Sequence, residues 1–318
     1  MKEQGKKNFA LIGAAGYIAV RHMKAVKDLG HNITAVLDKF DSVGIIDSYF
    51  PQASFFLEPE RFDRHLYKLY KEGKESIDYV SICSPNYLHD AHIRLALRNH
   101  SHAICEKPLV LNPWNLDALQ EVEKETNKNI YTILQLRLHP AIIELKKQVE
   151  NNEDKIYDVD LSYITSRGKW YGISWKGDES KSGGVATNIG IHFFDMLMYI
   201  FGDVKKNIVH IRENSKIAGY LELEKARVRW FLSIDENDLP LHCKDNQQRT
   251  FRSITVEDKE IEFSNGFTDL HTQSYDQILK GNGYGIRDAY PSVQLVHDIR
   301  NIKPIGLKDD YHPLIQLK

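Results

Sequence analysis

From Phe9 to about Tyr131 the chain alternates short, nearly unbroken apolar runs with stretches that carry apolar residues on one helical face. The runs Phe9–Ile12, Ile33–Leu37, Tyr79–Ile82 and Ala103–Cys105 lack the strict apolar/polar alternation of a half-exposed strand. Strands buried on both faces of a parallel sheet have this look. Between them, Tyr17–Leu29, Arg61–Lys71, His89–Asn99 and Asn115–Thr126 predict helices. Gly30 and Asn32 follow the first helix and Asn99 ends the third, residue types at which helices stop. Strands alternating with helices predict βαβ units and a doubly wound sheet.

The pattern changes after Arg137. Ile156–Thr165 alternates like an antiparallel strand, and Gly184–Phe201 predicts a long helix stopped by Gly202. Strand candidates then follow one another at Ile208–Arg212, Ala218–Leu223, Arg227–Ser233, Arg252–Val256 and Glu260–Phe263, with short turns such as Asp258-Lys259. Consecutive strands without crossover helices predict a mostly antiparallel sheet. Helices near Leu270–Leu279 and Ser292–Asn301 precede a break at Lys303-Pro304. The expected fold is therefore α/β, with a doubly wound parallel sheet over residues 1–134 and a second α/β domain over 135–318.

Composition narrows the function without naming it. The formal net charge of -2 leaves no electrostatic footprint for nucleic acid or an anionic membrane. Cys83, Cys105 and Cys243 have no Cys-x-x-Cys spacing, which argues against a disulfide framework or a zinc site, so no metal is expected. The Lys-rich start is followed by an apolar run too short for a signal peptide, and no apolar stretch approaches the ~20 residues that span a bilayer. The expectation is a reduced, cytoplasmic protein with neither nucleic-acid nor membrane partner.

The first strand runs into Gly13-Ala14-Ala15-Gly16-Tyr17-Ile18-Ala19. A tight turn of small residues opening a helix brings backbone N–H groups against a pyrophosphate. The spacing is G-x-x-G-x-x-A, weaker than a strict G-x-G-x-x-G, and an unliganded turn would read the same way. Asp38 ends the second strand, 25 residues after Gly13. A carboxylate there accepts the adenosine ribose hydroxyls and repels a 2′-phosphate, so the pair of features favours NAD over NADP.

The next strands end in Ser84-Pro85-Asn86-Tyr87-Leu88-His89 and Glu106-Lys107-Pro108. Ligands of open α/β sheets bind at the carboxyl ends of strands, which places Ser84, Asn86, His89, Glu106 and Lys107 among cofactor contacts. Pro108 favours an extended Lys107. In the second domain, Gly183-Gly184 leads into Asn188-Ile189-Gly190-Ile191-His192, with Asn188 and His192 four apart on one face of the expected helix.

These residues, in this order, resemble the glucose-fructose oxidoreductase / inositol dehydrogenase (Gfo/Idh/MocA) family along essentially the whole chain. The resemblance implies a Rossmann NAD-binding domain and a C-terminal α/β domain whose open, largely antiparallel sheet also mediates oligomers. It also implies that Lys107 and His192, with Asn188 in place of the family's aspartate, flank the substrate carbon. Asp195 could orient His192 instead, or be structural. His192 suits a base, having an ordinary pKa of ~6.5, and Lys107 suits stabilisation of the alkoxide, although the two roles could be exchanged.

Ser166–Asp178 interleaves cations with aromatics, including Arg167, Lys169, Tyr171, Trp175 and Lys176. Such groups can clamp a pyrophosphate or carboxylate and stack on a base or sugar, and Arg137 is a further candidate. More narrowly, the segments Ser84–His92, Glu106–Trp114, Tyr163–Tyr171, Ser182–Asp195, Ala226–Ser233 and Gly306–Pro313 are similar to bacterial UDP-N-acetylglucosaminuronate 3-dehydrogenases. That resemblance implies oxidation of the C3 hydroxyl of a UDP-sugar during synthesis of diacetylated aminouronic acids for surface polysaccharide (lipopolysaccharide O-antigen). It further implies re-oxidation of NADH by 2-oxoglutarate and a homotetramer. A cyclitol or simple-sugar dehydrogenase is the alternative, less well served by the cations. A non-catalytic NAD-binding sensor would need neither Lys107 nor His192.

Overall fold

The computed structural model describes residues 5–73, 75–152, 154–261 and 269–315. The first apolar runs form β1 (Asn8–Ile12), β2 (Asn32–Leu37), β3 (Ser54–Phe56), β4 (Tyr79–Ile82), β5 (His102–Cys105) and β6 (Ile130–Thr132). All pair in parallel, in the order β3-β2-β1-β4-β5-β6. The direction of winding reverses between β1 and β4, the switch point outside which such sheets bind ligands. The crossover helices Ala19–Asp28, Pro59–Glu72, His89–Arg98 and Pro113–Thr126 lie where periodicity puts them. The Ala19–Asp28 helix shows why: Ala19, Met23 and Val26 are fully buried on its sheet-facing stripe, and Gly30 follows with φ of 78°.

The second sheet comprises β7 (Tyr157–Thr165), β8 (Val204–Arg212), β9 (Lys216–Leu223), β10 (Ala226–Ser233), β11 (Thr250–Val256) and β12 (Lys259–Glu260). Their order is β12-β11-β7-β10-β9-β8. β7 runs parallel to β10 and the other neighbours are antiparallel, so the sheet is mixed but mainly antiparallel. Of the expected strand Glu260–Phe263, the last two residues lie outside the described residues. Trp230 and Phe194, both fully buried, meet edge to face at 5.1 Å and fix the Ile191–Phe201 helix against β10.

The chain forms two units, and their limits differ from a simple division into halves. The first runs to Gln135 and takes back Asp269–Tyr290, whereas the second begins at Leu136 and resumes at Pro291. Residues 269–290, expected in the second domain, thus belong to the first. The reason is apolar: Tyr275 and Ile278, on the Leu270–Leu279 helix, join the cluster of Phe9, Met23, Val36 and Ile104. Tyr284 then accepts a hydrogen bond from the Thr132 N–H at 2.9 Å, beside β6.

A second difference concerns apolar length. The 23-residue stretch Glu179–Phe201 is long and apolar enough to cross a bilayer by composition, contrary to expectation, but 72% of its most apolar window is buried inside the fold. It is a core element of the second unit.

Candidate active site

The nucleotide half is built on β1 and β2. Gly13 follows β1 with φ of 90°, and a Cβ there would lie 2.7 Å from the backbone of Cys83. Only glycine fits so close an approach. The Gly13 N–H donates to Leu37 O at 2.8 Å, tying the turn to the end of β2. Asp38 then accepts from the Ala15 N–H on one oxygen at 2.8 Å and from the Phe40 N–H on the other at 2.9 Å. The carboxylate therefore holds the small-residue turn in place and keeps lone pairs for a ligand hydroxyl. Helix begins only at Ala19, with no side chain capping its first turn, and the Ala19 and Arg21 N–H groups donate to Gly16 O and Ile18 O at 3.1 and 3.0 Å. Ala14 is buried, Gly16 and Ile18 lie alongside, and Tyr17 is 85% exposed at the same turn. Small residues, an uncapped helix start and a carboxylate at the end of β2 fit NAD.

At the ends of β4 and β5 the expected contacts divide. Ser84 and Asn86 are buried, and Ser84 Oγ lies 2.8 Å from Nδ1 of His92. Burial lowers the His92 imidazole to about 4, so that ring is neutral at physiological pH. His89, expected to meet the nicotinamide, does not offer its ring to a ligand. It is 1% exposed, with Nδ1 at 2.7 Å from Pro108 O and Nε2 at 2.8 Å from Ser84 O. Burial lowers its pKa, while these carbonyls pull the other way. His89 is thus the tie between the Ser84 turn and the Glu106-Lys107-Pro108 turn. Lys107 itself is half-buried.

Glu106 carries a feature that the motif does not reveal. Its Oε1 lies 2.8 Å from Nε2 of His22 and 2.9 Å from Nε2 of His271, all three residues being buried. Burial alone would raise the carboxyl, yet the two imidazole hydrogen bonds hold it well below the usual carboxylate range. Its ligand-type atoms and those of the histidines lie within 4.8 Å of one another, a grouping that sequence reasoning missed. A signal existed for part of it: His22 falls on the buried stripe of its helix, where an unpartnered histidine would be costly.

The second unit supplies the remaining expected residues. Gly183 and Gly184 both have positive φ, and a Cβ on Gly183 would lie 2.5 Å from Thr187. They turn the chain into a π-helical segment, Ala186–Gly190, that continues as the Ile191–Phe201 helix. The long helix expected here is therefore interrupted, and Asn188 sits in the wide turn, a geometry frequent at functional sites. Asn188 Nδ2 donates to the Tyr171 hydroxyl at 2.7 Å, which orients the amide. Burial raises the Tyr171 phenol, against that bond. His192, half-buried, stands in the first turn of the α-helical part.

Arg137 and Asp195 prove to be partners. The guanidinium donates Nε to Oδ2 at 2.9 Å and Nη2 to Oδ1 at 2.7 Å, with side chains only 11% and 3% exposed. Arg137 also lies over the Tyr199 ring, 5.0 Å from its centroid. Arg137, expected as a substrate cation, is thus paired with Asp195 on the helix that carries His192. Lys176 lies over the rings of Trp170 and Trp175, at 5.1 and 5.4 Å from their centroids. Burial, then Arg167, lowers its pKa. Arg167 and Lys169 are exposed.

Residues 7–133 match the oxidoreductase family with an NAD-binding Rossmann fold, and residues 146–237 match the C-terminal alpha/beta domain of the same family. The chain belongs to the Gfo/Idh/MocA oxidoreductases. Its first unit carries the family's NAD-binding Rossmann fold and its second a mainly antiparallel sheet. The WlbA (WbpB) dehydrogenase of Thermus thermophilus, solved with NAD and alpha-ketoglutarate, is 49% identical over 96% of this chain and 99% of that one, with a TM-score of 0.93. The same enzyme was solved with NAD and UDP-GlcNAcA. Among curated relatives, the D-glucoside 3-dehydrogenase of Escherichia coli (strain K12) is 30% identical over 127 residues, 39% of this chain and 36% of its own. The Glucose-6-phosphate 3-dehydrogenase of Bacillus subtilis (strain 168) is 24% identical over 199 residues, 61% of this chain and 54% of its own. The chain therefore spans only a third to about half of these two relatives.

Proposed function

We propose that this Gfo/Idh/MocA enzyme oxidises the C3 hydroxyl of UDP-N-acetylglucosaminuronate to the 3-keto sugar. The observation that carries this is the 49% identity over 96% of the chain with a dehydrogenase solved with NAD and UDP-GlcNAcA. The two curated relatives are likewise named 3-dehydrogenases of sugars.

NAD supplies the hydride acceptor. Gly13 to Ile18 and the uncapped start of the Ala19–Asp28 helix receive its pyrophosphate, Asp38 its adenosine ribose, and Ser84, Asn86 and Glu106 its nicotinamide half. His192 takes the proton of the C3 hydroxyl, its position set through the helix that Asp195 and Arg137 brace. Lys107 stabilises the developing alkoxide with its ammonium, and Asn188, aligned by Tyr171, hydrogen-bonds the sugar. Arg167, Lys169 and Lys176, with Trp175 beside them, meet the pyrophosphate and uronate. The keto sugar is a substrate for an aminotransferase in building diacetylated aminouronic acids of surface polysaccharide. The enzyme works in the cytoplasm as a homotetramer, and 2-oxoglutarate recycles its NADH.

Absorbance at the reduced-nicotinamide band after adding UDP-N-acetylglucosaminuronate tests this. A rise, followed by decay on adding 2-oxoglutarate, is expected. No rise with excess NAD would sink the sugar-nucleotide assignment and favour a cyclitol or simple sugar.

A further inference from the structure

Both histidines that reach Glu106 fall on one of its oxygens, Oε1. The other, Oε2, takes no hydrogen bond among the described residues, although the side chain is only 8% exposed. Nδ1 of His22 lies 2.7 Å from the Tyr275 hydroxyl, which lies 2.6 Å from Ser81 Oγ. Ser81, His22 and Tyr275 are all fully buried. One assignment of hydrogens satisfies every contact. Ser81 donates to Tyr275, Tyr275 donates to Nδ1 of His22, and both imidazoles donate Nε2–H to Glu106.

The His22 ring is then neutral, donating from Nε2 and accepting at Nδ1. A buried carboxylate persists only where hydrogen bonds replace its water. Here they are concentrated on one side, leaving an acceptor in reserve on the residue that precedes Lys107, at the carboxyl end of β5. Three separate stretches converge to produce this: the first crossover helix gives His22, β5 leads to Glu106, and the returning segment gives His271 and Tyr275. The spread of ligand-type atoms within 4.8 Å is one a cation could use, but the hydrogen-bonded chain to Ser81 accounts for the cluster without one.

We propose that His22 and His271 are positioning residues of the nucleotide site, pinning one oxygen of Glu106 so that the other is held ready for a hydroxyl of bound NAD. The proposal rests on the reading of Glu106 as a cofactor residue. Neither histidine touches the nucleotide. Each acts through the carboxylate.

NADH affinity of the full-length enzyme, read by nicotinamide fluorescence, tests both levels. Glu106→Gln and His271→Leu should each weaken NADH about tenfold, the low end for a hydrogen bond to a charged group. His271→Gln, which keeps an N–H at similar reach, should recover most of that loss, and the sugar-nucleotide KM should hardly move in any of the three. Unchanged NADH affinity in Glu106→Gln would remove the cofactor reading itself. Weakening in Glu106→Gln but not in His271→Leu, or equal weakening in His271→Leu and His271→Gln, would overturn only the positioning role. Should His271→Leu fail to fold, NMR of isotope-labelled histidine in the wild-type enzyme decides. A hydrogen bond from the Nε2–H of each ring to the carboxylate is expected, whereas a ring with no proton on Nε2, or a stoichiometric metal in the purified protein, would overturn the proposal.

Discussion

The two units organise their functional residues by different means. In the first, backbone does most of the placing: Gly13 packs against Cys83, the turn bonds to Leu37, and Asp38 holds the Ala15 and Phe40 amides. In the second, side chains hold side chains. Arg137 grips Asp195, Tyr171 aligns Asn188, and Lys176 rests on two indoles. A backbone-built site reappears wherever the turn sequence does, because the amide positions follow from φ and ψ. A site built from side-chain pairs depends on distant residues meeting, and can be retuned by changing either partner. The difference suits a unit that takes one cofactor and another whose substrate varies among relatives.

The largest effect should come from the chemistry, and it separates the units most sharply. His192→Ala is expected to lower kcat about 10³-fold, within the range of a lost general base, while NADH affinity stays put. Lys107→Ala should likewise abolish turnover. If His192→Ala weakens NADH instead of slowing turnover, His192 belongs to the cofactor and the comparison collapses.

Next comes the brace in the second unit. Asp195→Ala leaves the Arg137 guanidinium, 11% exposed, without its bidentate partner. Urea unfolding should show a loss of about 4 kcal/mol, as for a half-broken buried pair, and replacing both residues by apolar ones of similar size should recover much of it. A loss below about 1 kcal/mol, the range of exposed pairs, would show the brace to be weak.

Acid should weaken the two units alike. His92 in the first and His312 in the second, bonded to Ser84 and Ser162, are both lowered by burial to about 4. Their folded values lie below the unfolded one, so this stability is present above pH ~6.5 and drains as pH falls towards the folded value. Each should account for about 2 kcal/mol between pH 7.5 and 5, removed in His92→Gln and His312→Gln. Unfolding midpoints of the wild type and both variants at the two pH values measure it, and a pH slope unchanged by either variant would exclude that histidine.

The smallest effect sharpens the contrast. Tyr171→Phe removes the acceptor of the Asn188 amide and should raise the sugar-nucleotide KM severalfold, equivalent to about 1 kcal/mol, with NADH affinity untouched. An unaltered KM would mean that Asn188 needs no orienting.

What could be read from sequence follows the same division. β1, β2, β4 and β5 are apolar enough to stand out, and they carry the Gly13 turn, Asp38 and Lys107 to strand ends. β3 and β6 escape notice because each has three residues at a sheet edge, too few to show a period. The π-helical turn escapes because five residues cannot distinguish one helical period from another. The pairing of Arg137 with Asp195 was hidden because the two lie 58 positions apart. His89 had the right motif but a different task, since only the folded chain shows the carbonyls of Ser84 and Pro108 on either side of its ring.

The return of residues 269–290 to the first unit has a consequence for how the enzyme is born. Synthesis starts at the amino end, and a domain ordinarily folds as it leaves the ribosome. Here the strands of the nucleotide-binding unit are made before those of the second sheet, but the unit lacks Tyr275 and Ile278 from its apolar cluster until residues 269–290 are translated. All the described strands of the second sheet are out by then. The first unit is thus begun before the second sheet and completed after it, and a nascent chain stalled before the return would present an open hydrophobic seam to chaperones.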